Sequence, residues 1–289
     1  MYHFRLMFIL FALIVSLAPI GHGVASVTSA ASARNVWWPT NGAVILAGGS
    51  LAQESADAFV DRMIALAGGP DAIIVVIPTA SDGLPDRLPT HDPQPARVNG
   101  LRQNLESRGA RHVVFLHTRD RVVANTEDFV KVLRTANAVF FPGGASRVLD
   151  QTYHDTLVEK EVKALLKRGG VLAGDSAGAI TLGCVWLDWN PKTEDFGPSS
   201  NGLCVVPNVT VTPHVQNVEG DARLADVFKY ISVHPPLIGV NIEGNTALVL
   251  KGSTAEVIGK GSVSIFDSAT DKTKPSLRLS SGERCDFAK

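Results

Sequence analysis

The chain has 289 residues, 45% of them hydrophobic and 19% charged, and its 27 Lys and Arg nearly balance 28 Asp and Glu. With a formal net charge of −1 there is no cationic excess to hold nucleic acid or an anionic membrane, while the length suffices for a sizeable α/β core. Three cysteines, Cys184, Cys204 and Cys285, are too few for a disulfide scaffold and lack the C-x-x-C spacing of a zinc site. One pair could bridge in an exported protein, the sequence leaving open which, and neither metal nor cofactor is expected.

Residues 1–33 have the layout of a secretory signal peptide. Arg5 precedes an almost continuously apolar run from Leu6 to Ile20, and Ala31-Ser32-Ala33 offers an A-x-A site before Arg34. An earlier cut after Ala25 is also open. The apolar run is shorter than the ~18 residues of a spanning helix, so cleavage and release to a secreted or periplasmic location are expected over anchoring, with no later membrane association. Residues 34–289 are then expected to form a single α/β domain, its core at about 43–267.

Ala43 to Ala47 reads as a buried strand ending in Gly48-Gly49, and Ser55 to Leu66 as a helix with Phe59, Met63 and Leu66 on one face. Ile73 to Ile77 is a second strand, closed by Pro78-Thr79-Ala80-Ser81. A Pro- and Asp-rich loop to about Pro95 leads into a helix to about Arg108. Val113 to Leu116, a helix over 126–134, and Ala138 to Phe141 follow, the last ending in Pro142-Gly143-Gly144. Leu157 to Lys167 is a helix feeding the strand Val171-Leu172-Ala173. Continuous Val/Ile/Leu strands alternating with helices predict a largely parallel, doubly wound sheet covered on both faces, with ligands at the carboxyl ends of its strands. Four short strands, Leu237 to Ile242, Thr246 to Leu250, Ala255 to Ile258 and Ser262 to Phe266, predict a C-terminal meander completing or flanking the sheet. The polar tail after Asp267 is expected to be loosely held.

The chemistry centres on Gly174-Asp175-Ser176-Ala177-Gly178, a G-x-S-x-G pattern between a strand and a helix. In that setting Ser176 is a candidate nucleophile; it could equally be the cap of an ordinary Gly-rich turn. A serine needs a base, and the base an orienting acid. The downstream bases are His214, at the end of an expected strand, and His234, which better suits a helix end. Candidate acids are Asp188, Glu194 and Asp195, in the expected loop after the serine helix, and Glu219 and Asp221; spacing does not separate Glu194 from Asp195. The backbone N–H groups of Ala177 and Gly144 are the candidate oxyanion donors. Gly174-Asp175-Ser176 is shared with chymotrypsin-like proteases, but those are all-β with the histidine before the serine. The order Ser–acid–His fits α/β-hydrolases, which usually spread the triad over more of the sheet.

Together these residues resemble the cyanophycinase and dipeptidase E family, serine peptidases of class S51. The resemblance rests on ILAGG (45–49), VVIPTAS (75–81), VFFPGG (139–144), GGVLAGDSAGA (169–179), HPPLIGVNIEGNTALVL (234–250) and EVIGKGSVSIFD (256–267). It implies a flavodoxin-like or class-I-amidotransferase-like fold and metal-free cleavage beside aspartate, in short peptides or in the β-Asp-Arg polymer cyanophycin. It further implies Ser176 as nucleophile, His214 as base, Glu194 as acid with Asp195 next in line, and Gly144 and Ala177 at the oxyanion. A peptide is the implied partner, and a homodimer is compatible with the sequence without being fixed by it. Four segments depart from the family pattern: Thr212-Pro213-His214, Ala145-Ser146-Arg147, Val215 to Glu219 and Ser50-Leu51-Ala52. These departures touch cyanophycin specificity more than catalysis, and leave a catalytically inactive peptide-binding homologue or a general serine esterase as alternatives.

Overall fold

The computed structural model describes residues 39, 41–88, 94–190, 192, 195–216, 222–268 and 275–287; the expected signal peptide lies outside them. Among the described residues no helix is long and apolar enough to cross a membrane. Strand β1 (Ala43–Ala47) leads to α1 (Gln53–Ala67), β2 (Ile73–Val76), a 3-10 turn over Pro78–Ala80, α2 (Ala96–Ser107) and β3 (His112–Phe115). Short helices α3 (Arg121–Ala124) and α4 (Glu127–Val130) precede β4 (Ala138–Phe141), α5 (Ser146–Tyr153), α6 (Leu157–Lys167), β5 (Val171–Asp175) and α7 (Ala177–Leu182). Next come β6 (Val185–Asn190), β7 (Asp195–Asn201), β8 (Val209–Val215) and α8 (Ala222–Val233). The chain closes with β9 (Ile238–Glu243), β10 (Thr246–Lys251), β11 (Thr254–Gly259), β12 (Ser262–Phe266), β13 (Leu277–Ser280) and β14 (Arg284–Asp286).

In the central sheet, β1, β5, β4, β2 and β3 are parallel neighbours, and β10, β11 and β14 extend it antiparallel beyond β1. Its strands read as unbroken apolar runs because both faces are covered. In β1, Val44 and Leu46 enter one core while Ala43, Ile45 and Ala47 enter the other. Helix α1 sets Phe59, Val60, Met63 and Ile64 against the second core and stops at Gly68, whose left-handed backbone caps it. The expected α/β fold with a largely parallel sheet is the one observed.

Several local expectations change. The helix expected over 126–134 is α4 followed by a 3-10 turn at Lys131–Arg134. The C-terminal strands lie where expected but do not form one meander. While β10 and β11 join the central sheet, β9 and β12 enter a second sheet of order β13-β12-β9-β8. Val240 and Ile242 of β9 share one core with Leu248 and Leu250 of β10, so apolar faces of two layers close on each other. Over its described residues 275–287 the tail is not loose: β13 and β14 pair with β12 and β11, and Leu279 and Cys285 are buried. Finally, the segment holding Asp188 and Asp195 is a hairpin, β6 with β7, whose Asp, Asn and Pro content imitates a loop. A disulfide between Cys184 and Cys204 closes its base, and Cys285 is free and buried.

Candidate active site

Strand β5 delivers the serine to the carboxyl edge of the sheet. Gly174 and Asp175 lie opposite Leu46 and Ala47 of β1, and the Ser176 N–H donates to the Ala47 carbonyl at 3.0 Å. Ser176 then turns sharply, with φ 53 and ψ −114, before α7 begins. A residue with a Cβ rarely adopts that conformation, and its persistence marks a position overdetermined by its surroundings. The last glycine of the motif has a different task. A Cβ at Gly178 would lie 1.9 Å from the Phe141 carbonyl oxygen, so only glycine lets α7 sit against β4.

His214 arrives from the second sheet. It stands near the end of β8, where the register with β9 shifts between Thr212 and Val215, and has φ 58. Its N–H donates to the Gly48 carbonyl at 2.8 Å, fastening β8 to the end of β1. The imidazole Nε2 lies 2.7 Å from Ser176 Oγ, and Nδ1 lies 3.4 Å from Ser50 Oγ. Gly49, at φ +80, forms the seat of the ring: a Cβ there would fall 2.1 Å from His214 Cε1. The end of β1 therefore positions both halves of the Ser–His pair. His234 keeps the helix-end role expected of it, stacked on Tyr230 at 3.8 Å with Nδ1 against the Tyr230 carbonyl.

Gly144 and Ala177 line the same cavity as Ser176 and His214, a space of about 600 Å³ walled also by Arg147, Trp186, Asp188 and Asp226. The Gly143-Gly144 turn is fixed from below. Ser81 Oγ donates to the Gly143 carbonyl, and the Ala145 N–H donates to the Ala80 carbonyl at 2.8 Å. Beneath that turn Thr79 Oγ1 contacts His117 Nδ1 at 2.8 Å and Tyr153 Oη at 2.6 Å, all three residues buried. Burial lowers the His117 pKa below the ordinary histidine value, outweighing its hydrogen bond to the Pro85 carbonyl, and so favours the neutral ring. Burial also raises the Asp175 carboxyl to about 6, opposed by the charge of Arg97 and the N–H of Gly49.

Glu194, Glu219 and Asp221 lie outside the described residues. Asp195 is exposed at the start of β7, its carboxylate accepting from the Phe196 N–H at 2.8 Å. Asp188 lines the cavity and accepts from the Trp189 N–H. Ser50 and Arg147 are neighbours of the site that the sequence shows only as departures from a pattern; the Gly48-Gly49 strand end before Ser50 was the available signal. Elsewhere His154, Asp155 and Glu159 offer ligand atoms within 4.8 Å of one another, but Lys163 occupies Glu159 at 2.6 Å and none of the three lines the cavity.

The chain is similar in sequence and fold to known proteins. The model of peptidase family S51 matches residues 44–258. A cyanophycinase from Geminocystis herdmanii (strain PCC 6308) is 31% identical over 232 residues, covering 78% of this chain and 80% of its own. Peptidase E from Actinobacillus pleuropneumoniae serotype 5b (strain L20) is 26% identical over 141 residues, 47% of this chain and 59% of its own. The crystal structure of a peptidase from an acI-B1 Actinobacterium superposes with a TM-score of 0.63 at 24% identity, covering 86% of this chain and 97% of the other, and so shares the fold. The match spans the nucleophile turn, the histidine strand and the sheet that joins them: the chain belongs to peptidase family S51 and is a serine-type peptidase.

Proposed function

We propose that this chain is an exported serine peptidase that hydrolyses peptide or isopeptide bonds next to aspartate by an acyl-enzyme route. The observation that carries the reading is the 2.7 Å contact between Ser176 Oγ and His214 Nε2 at a strained strand-to-helix turn. With Nε2 accepting the serine proton, Oγ attacks the carbonyl carbon, and the imidazolium later protonates the leaving amine. The Gly144 and Ala177 N–H groups are assigned to the oxyanion that forms between these steps. The orienting acid is assigned to Glu194, with Asp195 as the second choice; Ser50 Oγ is the neutral group placed at Nδ1. Water then releases the acyl group with His214 as base.

The aspartyl preference rests on the cyanophycinase and peptidase E relatives. Export rests on residues 1–33 and is supported by the Cys184–Cys204 bridge, which suits an oxidising compartment. The test is incubation of the chain from Arg34 with insoluble cyanophycin and a panel of α- and β-aspartyl dipeptides, with Ser176→Ala as control. Serine-dependent release of β-Asp-Arg supports the cyanophycinase form, and cleavage of α-aspartyl dipeptides alone the dipeptidase form. Turnover that survives Ser176→Ala defeats the mechanism.

A further inference from the structure

Arg147 is placed against an electrostatic rule. It is the second residue of α5, where the exposed N–H groups make the helix end positive and a cation is disfavoured. Arg62, Arg108, Arg134 and Arg278 pair with carboxylates, whereas Arg121 and Arg168 donate to backbone carbonyls. Arg147 has no carboxylate within ion-pair distance among the described residues. Its contacts are Ser199 Oγ, to which one guanidinium nitrogen donates at 2.8 Å, and the Trp186 ring, 5.7 Å from the guanidinium carbon. A neutral hydroxyl and an aromatic ring hold the group, and neither neutralises its charge. Local rules broken without internal compensation are expected at functional positions.

The group lines the cavity that contains Ser176, Gly144 and Ala177. Asp188 and Asp226 face the same space from β6 and α8, so the cavity has anionic groups as well as this cation. We infer that Arg147 is the specificity-determining residue of the site, receiving a substrate carboxylate next to the bond that Ser176 attacks. The inference rests on the proposed peptidase function for the position of the scissile bond, and it assigns the acidic preference to one side chain. Ser199 takes one guanidinium nitrogen and Trp186 flanks the group, so further N–H donors remain for a carboxylate, which a planar fork binds in a bidentate manner. A carboxamide of equal size carries no charge and presents N–H groups where the fork needs an acceptor.

The experiment measures binding apart from turnover. The Ser176→Ala protein, which cannot form an acyl-enzyme, is titrated calorimetrically with an aspartyl dipeptide and with its asparaginyl counterpart, alone and with Arg147→Gln or Arg147→Lys added. The expected result is aspartyl binding at least ~10-fold tighter than asparaginyl, a ratio near one with Gln, and an intermediate ratio with Lys, which keeps the charge and loses the fork. Circular dichroism confirms that each variant is folded. Equal affinity for both peptides, or a preference that survives Arg147→Gln, overturns the inference. Failure of the peptidase reading is seen separately, as absence of fluorophosphonate labelling at Ser176 in the otherwise unaltered chain.

Discussion

Asp175 is a carboxyl group that the fold would hold more cheaply as a neutral one, and Asp175→Asn should show this as a gain in stability. The side chain lies at the end of β5 with Oδ1 buried and without a hydrogen-bond partner among the described residues. Burial, the largest influence, raises its pKa from 3.8 to about 6 against the opposing charge of Arg97 and the Gly49 N–H. Because the folded-state value is raised, ionisation costs stability. The cost is absent below the unfolded value, grows as pH rises through it, and levels off above the folded value near 6. A rise of about two units corresponds to about 3 kcal/mol at pH 7 as an upper figure, and less than ~1 kcal/mol at pH 4. Asparagine keeps the shape and the acceptor oxygen without the charge. Urea unfolding at pH 7 should therefore give Asp175→Asn a higher midpoint than the parent, with the two converging at pH 4. A variant less stable at pH 7, or a difference that ignores pH, would show that Asp175 is ionised by partners strong enough to outweigh its burial.

Ser176→Ala and His214→Ala should each lower kcat/KM by ~10⁴-fold or more, because the pair acts as a unit, and the double variant should lose little further activity. Gly49→Ala sets a methyl group 2.1 Å from the His214 ring, so the ring must move. Displacement on that scale should cost kcat ~10²-fold or more while the chain stays folded, and retained activity would remove Gly49 as the seat of the base. Reducing the Cys184–Cys204 bridge, which spans a sequence separation of 20, should remove ~3 kcal/mol on the chain-entropy view. Urea unfolding with and without reductant measures this, and coincident curves would mean that the bridge does not stabilise the fold in solution.

What the sequence made legible is what local chemistry dictates. Strands β1 and β4 and helix α6 lie at the bounds their apolar patterns predict, because a strand buried on both faces and a one-faced helix each leave a clear period. The nucleophile turn was legible for a related reason: the near contact of Gly178 with the Phe141 carbonyl and the positive φ of Ser176 admit few sequences. The β6–β7 hairpin was not, since Asp188, Asn190, Asp195 and Pro198 give it a loop's composition and the register shift after Trp186 spoils its alternation. The division of β9 to β12 between two sheets is likewise invisible, because either pairing satisfies the same alternating strands.

The site itself falls between these cases. Ser176 belongs to a motif, but His214 comes from another sheet, and its place is set by a backbone bond to Gly48 that no spacing rule encodes. Ser50 and Arg147 join the site through turns and a helix end whose neighbours are remote in sequence. The end of β1 shows why this arrangement works. Its carbonyls at Ala47 and Gly48 accept from Ser176 and His214, so one short backbone segment holds nucleophile and base with no side chain of its own. Backbone anchors of that kind leave the surrounding side chains free to vary. In this chain the cavity walls at Arg147, Trp186 and Asp226 can then change the preferred substrate while the 2.7 Å pair beneath them is kept.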